Sequence, residues 1–300
     1  GEWTGLFPVH SFFSGRMRQT RFLGLRLTAL CVKGATMAFV LGLAQCCHPD
    51  ESGTEAVLEM AEQWCAEASL CGVDILVFPE SLMTRYELSK QSFAAEAEPI
   101  DGPFCCGMDA LAARYGLWLV YTVNERNDEG NPFNTAVITG SDGVKRGVYR
   151  KVHLFDTDFT KESDRMAAGP ALFEPIDAPF GRIGLSICYD LRFPEVARFA
   201  ETRGCQLLGN PAAWVDGRLK AEQWRTLLSA RAIENEIFVA GLSRVDKGYI
   251  GQSAVFGPDG VMLSGGSVRE ELVTARIDLS TIDEIRAAMP VLDHRRPELY

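Results

Sequence analysis

The chain has 300 residues, of which 47% are hydrophobic and 23% are charged, and its formal net charge is −10 at pH 7. This composition is typical of a folded enzyme-sized protein with enough apolar residues for a large core. The acidic balance argues against a nucleic-acid partner, which would require a basic surface, and no apolar run reaches the ~18 residues that cross a membrane.

The cysteine content does not indicate a disulfide framework. The chain has nine cysteines, an odd number, and two pairs are adjacent in sequence, Cys46-Cys47 and Cys105-Cys106. It contains no C-x-x-C motif, and its four histidines are scattered, so a zinc cluster is not indicated either. We therefore predict reduced thiols and a cytoplasmic protein.

The first 36 residues differ from the rest of the chain. They contain one acid, Glu2, and five basic residues, whereas the remainder is strongly acidic. A segment of this kind is similar to a targeting peptide, although Arg26 interrupts its apolar run. Met37 directly precedes the first strand-like segment. We predict that residues 1–36 are a disordered extension, either a targeting segment or an upstream read-through, and that residues 37–300 form one domain.

From Met37 onward, strand and helix patterns alternate with short connections, which is typical of an α/β domain. The spacing of apolar residues predicts helices, the first of them capped by Thr54, at 54–69, 102–115, 193–203, 219–234 and from Ser280 onward. It predicts strands at 38–46, 73–80, 117–123, 133–139, 144–150, 182–188, 206–209, 237–241, 251–256, 261–264 and 271–277. Turn signals at 140–143 and 257–260 predict two hairpins, and hairpins combined with single βα units indicate two sheets covered by helices.

Three strand-like runs each lead into a reactive side chain. The runs end at Glu80, at Lys151 and at Cys188. Open α/β folds place their chemistry at the carboxyl ends of strands, so we expect these three residues to converge in one crevice. A carboxylate, an ammonium and a thiol supply a base, a charge stabiliser and a nucleophile, and a neighbouring ammonium favours the thiolate.

The motifs around these residues resemble a known family. The chain has F-P-E at 78–80, Y-R-K-V-H-L-F-D at 149–156 and C-Y-D-L-R-F-P-E at 188–195, followed by R-A-I-E-N at 231–235 and R-R-P-E-L-Y at 295–300. In this order they resemble the nitrilase superfamily of carbon–nitrogen hydrolases, and most of all its omega-amidase and deaminated-glutathione-amidase branches.

The resemblance covers about residues 38–300 and implies both a fold and an assembly. The implied fold is an α-β-β-α four-layer sandwich with two mixed sheets. The implied assembly is a homodimer or a higher homo-oligomer, with a small-molecule amide as substrate and no cofactor.

The resemblance also implies roles for individual residues. Cys188 would be the nucleophile and Glu80 the base, while Lys151 and the backbone N–H of Tyr189 would stabilise the oxyanion. Glu162, in the long loop at 152–170, would orient the substrate or the lysine. Taken alone, each of the three strand-end residues has a structural explanation: a buried thiol, a solvated carboxylate and a surface lysine. Their occurrence together in three ordered motifs favours the catalytic interpretation.

Two further residues are candidates for the substrate pocket. Arg192, four residues beyond Cys188, either binds a substrate carboxylate or pairs with Glu195 at i, i+3. Trp214 either lines the pocket or packs in the core. We interpret His153 as structural, because the set of candidates already includes a base.

These residues predict a thiol amidohydrolase that releases ammonia from a small carboxylate-bearing amide through a thioester. An N-carbamoyl amine or amino-acid hydrolase would use the same chemistry, and nitrile hydrolysis ranks third. Two other classes remain: a nitrilase-like binding protein without turnover, and a redox or metal-binding protein built on the adjacent cysteine pairs.

Overall fold

A computed structural model describes residues 38–49, 53–84 and 90–299 of the chain. The predicted extension at residues 1–36 and Met37 lie outside these ranges, so the predicted domain boundary stays a prediction. No helix within the described ranges combines the length and the hydropathy needed to cross a bilayer.

The secondary structure alternates as the sequence predicts. The strands of the described residues are β1 Ala38–Gln45, β2 Ile75–Val77, β3 Trp118–Glu125, β4 Phe133–Thr139, β5 Lys145–Arg150, β6 Ile176–Ala178, β7 Gly181–Leu185, β8 Leu207–Ala212, β9 Phe238–Ser243, β10 Ala254–Phe256, β11 Met262–Gly265 and β12 Glu271–Asp278. The helices are α1 Thr54–Leu70, α2 Lys90–Glu96, α3 Pro103–Tyr115, α4 Pro194–Glu201, α5 Lys220–Asn235 and α6 Ser280–Ala288. Short 3-10 helices occur at Glu162–Asp164, Cys188–Arg192 and Pro297–Leu299.

The strands form two six-stranded mixed sheets, with the orders β12-β1-β2-β3-β4-β5 and β11-β10-β9-β8-β7-β6. In each sheet, three neighbouring strands run parallel and the flanking strands pair antiparallel. The parallel strands in the middle of each sheet are therefore those joined by βα units. The antiparallel strands at its sides include those joined by hairpins. The predicted α/β class with two mixed sheets is confirmed.

Side-chain alternation along β1 shows how the layers stack. Leu41 and Leu43 belong to the core that both sheets share, whereas Val40 and Ala44 point to the opposite face. That opposite face packs against α1 and α3 through a second core cluster, which includes Val57. Helix α5 covers the other sheet. The period-2 pattern of a strand buried on both faces thus produces the four-layer α-β-β-α sandwich.

Three details of the predicted elements are wrong. Thr54 is the first residue of α1 rather than its cap; Gly53 occupies the cap position, without a side-chain hydrogen bond. The strand predicted to end at Glu80 stops at Val77, and the strand predicted to run through Cys188 stops at Leu185. In both places the apolar run continues after the chain has left the sheet, so its length overestimates the strand.

Helix α5 provides a test of the outer layer. Leu228 is fully buried between this helix and its sheet, and Leu228→Ala should lower the free energy of unfolding by about 2–5 kcal/mol, because it leaves a cavity. Urea unfolding followed by circular dichroism measures the loss. Leu70→Ala is the matched control, since Leu70 is 90% exposed at the end of α1 and should shift the unfolding free energy by less than about 1 kcal/mol. Equal effects of the two substitutions would contradict the packing of this layer.

Candidate active site

Cys188 lies in a tight turn between β7 and α4. It starts a 3-10 helix and has a φ of 47°, in the left-handed region that a non-glycine residue adopts only at a cost of about 1–2 kcal/mol. Its side chain belongs to the shared core and the residue is 8% exposed. Strain of this kind is found where a turn must aim one side chain in a particular direction.

The side chain of Asp190 stabilises this turn through hydrogen bonds. Its buried carboxylate accepts hydrogen bonds from the backbone N–H of Ile187 at 2.9 Å, from the Tyr149 hydroxyl at 2.8 Å and from the backbone N–H of His153 at 3.1 Å. The His153 ring lies 2.8 Å from the same carboxylate through Nδ1 and stacks on a phenylalanine. The Asp190 carboxylate thereby connects the segment that follows Lys151 to the turn that holds Cys188. This contact agrees with a structural role for His153.

The predicted base, lysine and second glutamate form one buried cluster. Nζ of Lys151 donates to Oε1 of Glu80 at 2.8 Å and to Oε2 of Glu162 at 2.8 Å. The side-chain amide of Asn134 donates to Glu80 at 2.8 Å and to Glu162 at 3.3 Å. The backbone N–H of Ala213 completes the shell of Glu80 at 2.7 Å. These donors replace the water that buried charges have lost.

Electrostatics assign a protonation state to each group. Burial by itself would raise the pKa of Glu80, but the Lys151 ammonium and the hydrogen bonds to the carboxylate outweigh it, so this pKa is lowered. Burial would likewise lower the pKa of Lys151, but Glu162 and Glu80 raise it well above its usual value. Glu80 is therefore ionised and Lys151 protonated at neutral pH.

The Cys188 thiol keeps its proton in this environment. Burial raises its pKa well above the usual value, and the Glu80 carboxylate raises it further, while Lys151 acts in the opposite direction. The sequence-based expectation that the ammonium favours the thiolate is correct in sign, but the opposing effects are larger. A side-chain hydrogen bond joins Cys188 and Glu80.

Two small cavities meet at Cys188. The first, which we call the anionic cavity, is lined by Glu80, Lys151, Phe155, Glu162, Cys188, Ala213, Val215 and Tyr249. The second, which we call the cationic cavity, is lined by Phe155, Cys188, Tyr189, Arg192, Ala213, Trp214, Val215 and Lys220. The sequence-predicted residues thus lie around one connected space.

Arg192 contacts residues other than Glu195, the structural partner that the sequence offered as an alternative. Its guanidinium donates to Oε1 of Gln223 at 2.8 Å and lies 4.9 Å from the ring centroid of Trp214. Trp214 satisfies both of its alternatives, because it is buried in the shared core and also lines the cationic cavity.

Sequence reasoning missed several residues of the site. Asn134 lies inside a strand with no local signal of its role, and the backbone N–H of Ala213 leaves no trace in a sequence. Lys220 could have been noticed from the sequence, because it is a basic residue at a predicted helix start. Cations are disfavoured there, so a lysine at that position hints at a functional role.

The carbon–nitrogen hydrolase family model matches residues 40–287 of the chain. The chain is similar to omega-amidase NIT2 of Homo sapiens, with 35% identity over 244 residues that cover 78% of this chain and 87% of the relative. It is also similar to deaminated glutathione amidase of Escherichia coli O157:H7, with 30% identity over 238 residues that cover 79% of this chain and 90% of that protein.

A third relative is longer than this chain. The nitrilase and fragile histidine triad fusion protein NitFhit of Caenorhabditis elegans is 40% identical over 203 residues, which cover 63% of this chain but 46% of the fusion protein. Its crystal structure matches with a TM-score of 0.81 and 32% identity, covering 89% of this chain and 67% of that chain. The sequence match therefore spans less than half of the fusion protein, whereas the structural match spans about two thirds of the crystallised chain.

The charge of Glu80 should be measurable through the thiol beside it. Glu80→Gln should lower the pKa of Cys188, because the substitution removes a negative charge that opposes the thiolate. The rate of Cys188 alkylation by iodoacetamide, followed by peptide mass spectrometry across pH, reports this pKa. The exposed residue Glu195 provides the control Glu195→Gln, which should leave the profile unchanged. An unchanged or upward-shifted profile in Glu80→Gln would contradict the assignment that the Glu80 charge raises the pKa of Cys188.

Proposed function

The chain belongs to the carbon–nitrogen hydrolase family, and we propose that it cleaves a small carboxylate-bearing amide to the acid and ammonia through a thioester on Cys188. At the coarser level it is an amidase, a hydrolase that acts on carbon–nitrogen bonds other than peptide bonds. The observation that carries the proposal is the buried contact between a protonated thiol, an ionised glutamate and a lysine.

In the acylation step, Sγ of Cys188 attacks the amide carbon while Glu80 takes the thiol proton. Negative charge develops on the amide oxygen, where Nζ of Lys151 and the backbone N–H of Tyr189 stabilise it. This N–H has no protein acceptor in the part of the chain that the structure describes, which supports the assignment. Glu80 then gives the proton to the leaving nitrogen, the carbon–nitrogen bond breaks, and ammonia departs from a thioester.

In the deacylation step, Glu80 removes a proton from water, and the resulting hydroxide attacks the thioester carbon. The carbon–sulfur bond breaks, the acid is released and the proton returns to Cys188. One carboxylate serves both steps because it alternates between its ionised and protonated forms.

Glu162 is a positioning residue in this mechanism. Its carboxylate accepts hydrogen bonds from Lys151 and from the backbone N–H of Phe155 at 2.7 Å, so its acceptor sites are already occupied by the protein. It fixes the lysine and the loop at 152–170 rather than reacting.

The omega-amidase type of substrate is favoured by the charges at the far side of the pocket. Arg192 lies in the cationic cavity, where a carboxylate remote from the amide finds a positive partner. An N-carbamoyl amino acid also carries a carboxylate and is the second candidate. A binding protein without turnover is less favoured, since none of the three predicted catalytic side chains is replaced.

The redox alternative is disfavoured by the adjacent cysteine pairs themselves. Burial raises the pKa of Cys46, and it raises the pKa of Cys47 to about 11 and that of Cys105 to about 12. Thiols that resist ionisation react slowly with oxidants. The cysteines of the described residues are all free, which supports the proposed cytoplasmic location.

We also propose a homodimer or higher homo-oligomer. Ile233 on α5 and Met262 on the neighbouring hairpin are each about half exposed and lie close together, and Val261, also about half exposed, directly precedes Met262. A second copy would cover this apolar face.

The nucleophile assignment predicts that Cys188→Ala abolishes ammonia release while preserving the far-ultraviolet circular dichroism spectrum. Ammonia should be assayed against omega-amides of dicarboxylates, N-carbamoyl compounds, aliphatic amides and nitriles. Cys106→Ala is the control, since Cys106 is exposed and should be dispensable. Ammonia release that survives in Cys188→Ala would refute the thioester route.

Arg192→Ala should raise KM for carboxylated amides roughly 30- to 160-fold. The expected factor corresponds to the loss of a charged hydrogen bond worth about 2–3 kcal/mol. The kinetics with a neutral amide of the same length should change little. Arg218→Ala, which removes an exposed arginine, is the control. Equal KM values for Arg192→Ala and the wild type would leave Arg192 with only its contact to Gln223.

A further inference from the structure

The two cavities beside Cys188 differ sharply in charge. Two carboxylates line the anionic cavity, together with one ammonium. The charged residues that line the cationic cavity are Arg192 and Lys220, and none of its lining residues is an acid. A molecule that occupies both cavities therefore meets opposite electrostatic environments at its two ends.

Lys220 is held in the cationic cavity by aromatic rings. Its Nζ atom lies 5.2 Å from the ring centroid of Phe155 and 6.0 Å from that of Trp214. Burial lowers its pKa and the Arg192 guanidinium lowers it further, with a small opposing effect from Cys188. Within the described residues, no carboxylate neutralises this ammonium.

The position of Lys220 in the fold is unfavourable for a cation. It is the first residue of α5, where the helix dipole places partial positive charge. Gln223, one turn later, accepts the hydrogen bond from Arg192. The first turn of α5 thus brings both cations to the same cavity, where each disfavours the charge of the other.

The hydrogen bonds that Lys220 makes within the described residues involve its backbone. Its N–H donates to the carbonyl of Gly217 at 3.1 Å, and its carbonyl accepts from Nε1 of Trp214 at 3.1 Å. Neither contact requires a lysine side chain. The ammonium is therefore available to a ligand, and a negatively charged group would relieve the repulsion between the two cations.

We infer that Lys220 is a specificity residue that binds, together with Arg192, the substrate carboxylate remote from the reacting amide. This inference rests on the proposed amidase function, and it adds a second cation to the one that sequence analysis nominated. The guanidinium offers a planar pair of donors and the ammonium a compact charge, so the two bind one carboxylate from different sides.

Covalent labelling of Cys188 tests the inference without requiring turnover. N-iodoacetylglycine carries a carboxylate, and N-ethyliodoacetamide is its neutral counterpart of similar length. The ratio of their alkylation rates at Cys188, measured by peptide mass spectrometry, reports attraction of the carboxylate. The neutral reagent corrects for any change in the reactivity of the thiol itself.

We expect the wild type to favour the carboxylate reagent by roughly tenfold, a preference typical of charge-assisted hydrogen bonding. Lys220→Gln should lower the ratio severalfold, with Arg192 supplying what preference is left, and Lys220→Arg should restore it. Lys247→Gln, which removes an exposed lysine, should match the wild type. A wild-type ratio of one or less, or an equal ratio in Lys220→Gln, would overturn the inference. Failure of the amidase proposal would appear separately, as absence of cysteine-dependent ammonia release.

Discussion

The burial of Lys151 between two carboxylates is the constraint on which the rest of the site depends. A charged side chain taken out of water costs several kcal/mol unless opposite charges and hydrogen bonds replace the solvent. Lys151 has such partners because Glu80 and Glu162 each place an oxygen 2.8 Å from its Nζ atom. The carboxylates need donors in turn, and Asn134 and the backbone N–H of Ala213 supply them. Loss of any partner would leave a buried charge uncompensated, so these groups form one interdependent unit.

The same arrangement determines which proton moves first in the proposed mechanism. Glu80 is ionised because the lysine and its hydrogen bonds outweigh the effect of burial on its pKa. Cys188 is protonated because burial and the nearby carboxylate raise its pKa. The site therefore rests as a neutral thiol beside a carboxylate, and proton transfer has to accompany the attack on the amide. Throughout that transfer the negative charge stays close to Lys151, which limits the reorganisation that the reaction requires.

Local patterns predicted the fold best where the chemistry of a turn or a helix end marks a boundary. The strand Phe133–Thr139 agrees to the residue with a turn signal at its end, and the helix Pro103–Tyr115 lies between a proline and a glycine. The strands before Glu80 and Cys188 were predicted too long, because apolar composition does not distinguish a strand from the buried turn that follows it. The predicted catalytic side chains nevertheless lie around one space. Asn134 was missed because it reaches Glu80 across 54 residues, and only the sheet topology brings the two together.

Phe155 connects the two halves of the pocket. Its backbone N–H donates to Glu162 at 2.7 Å, while its ring lies 5.2 Å from Nζ of Lys220. Phe155 lines both cavities, so an apolar residue adjoins both the cavity that holds Glu80 and Glu162 and the cavity that holds Lys220. The two cavities thus share an aromatic lining residue but differ in the charges that line them. That difference suits a substrate with an amide at one end and a carboxylate at the other.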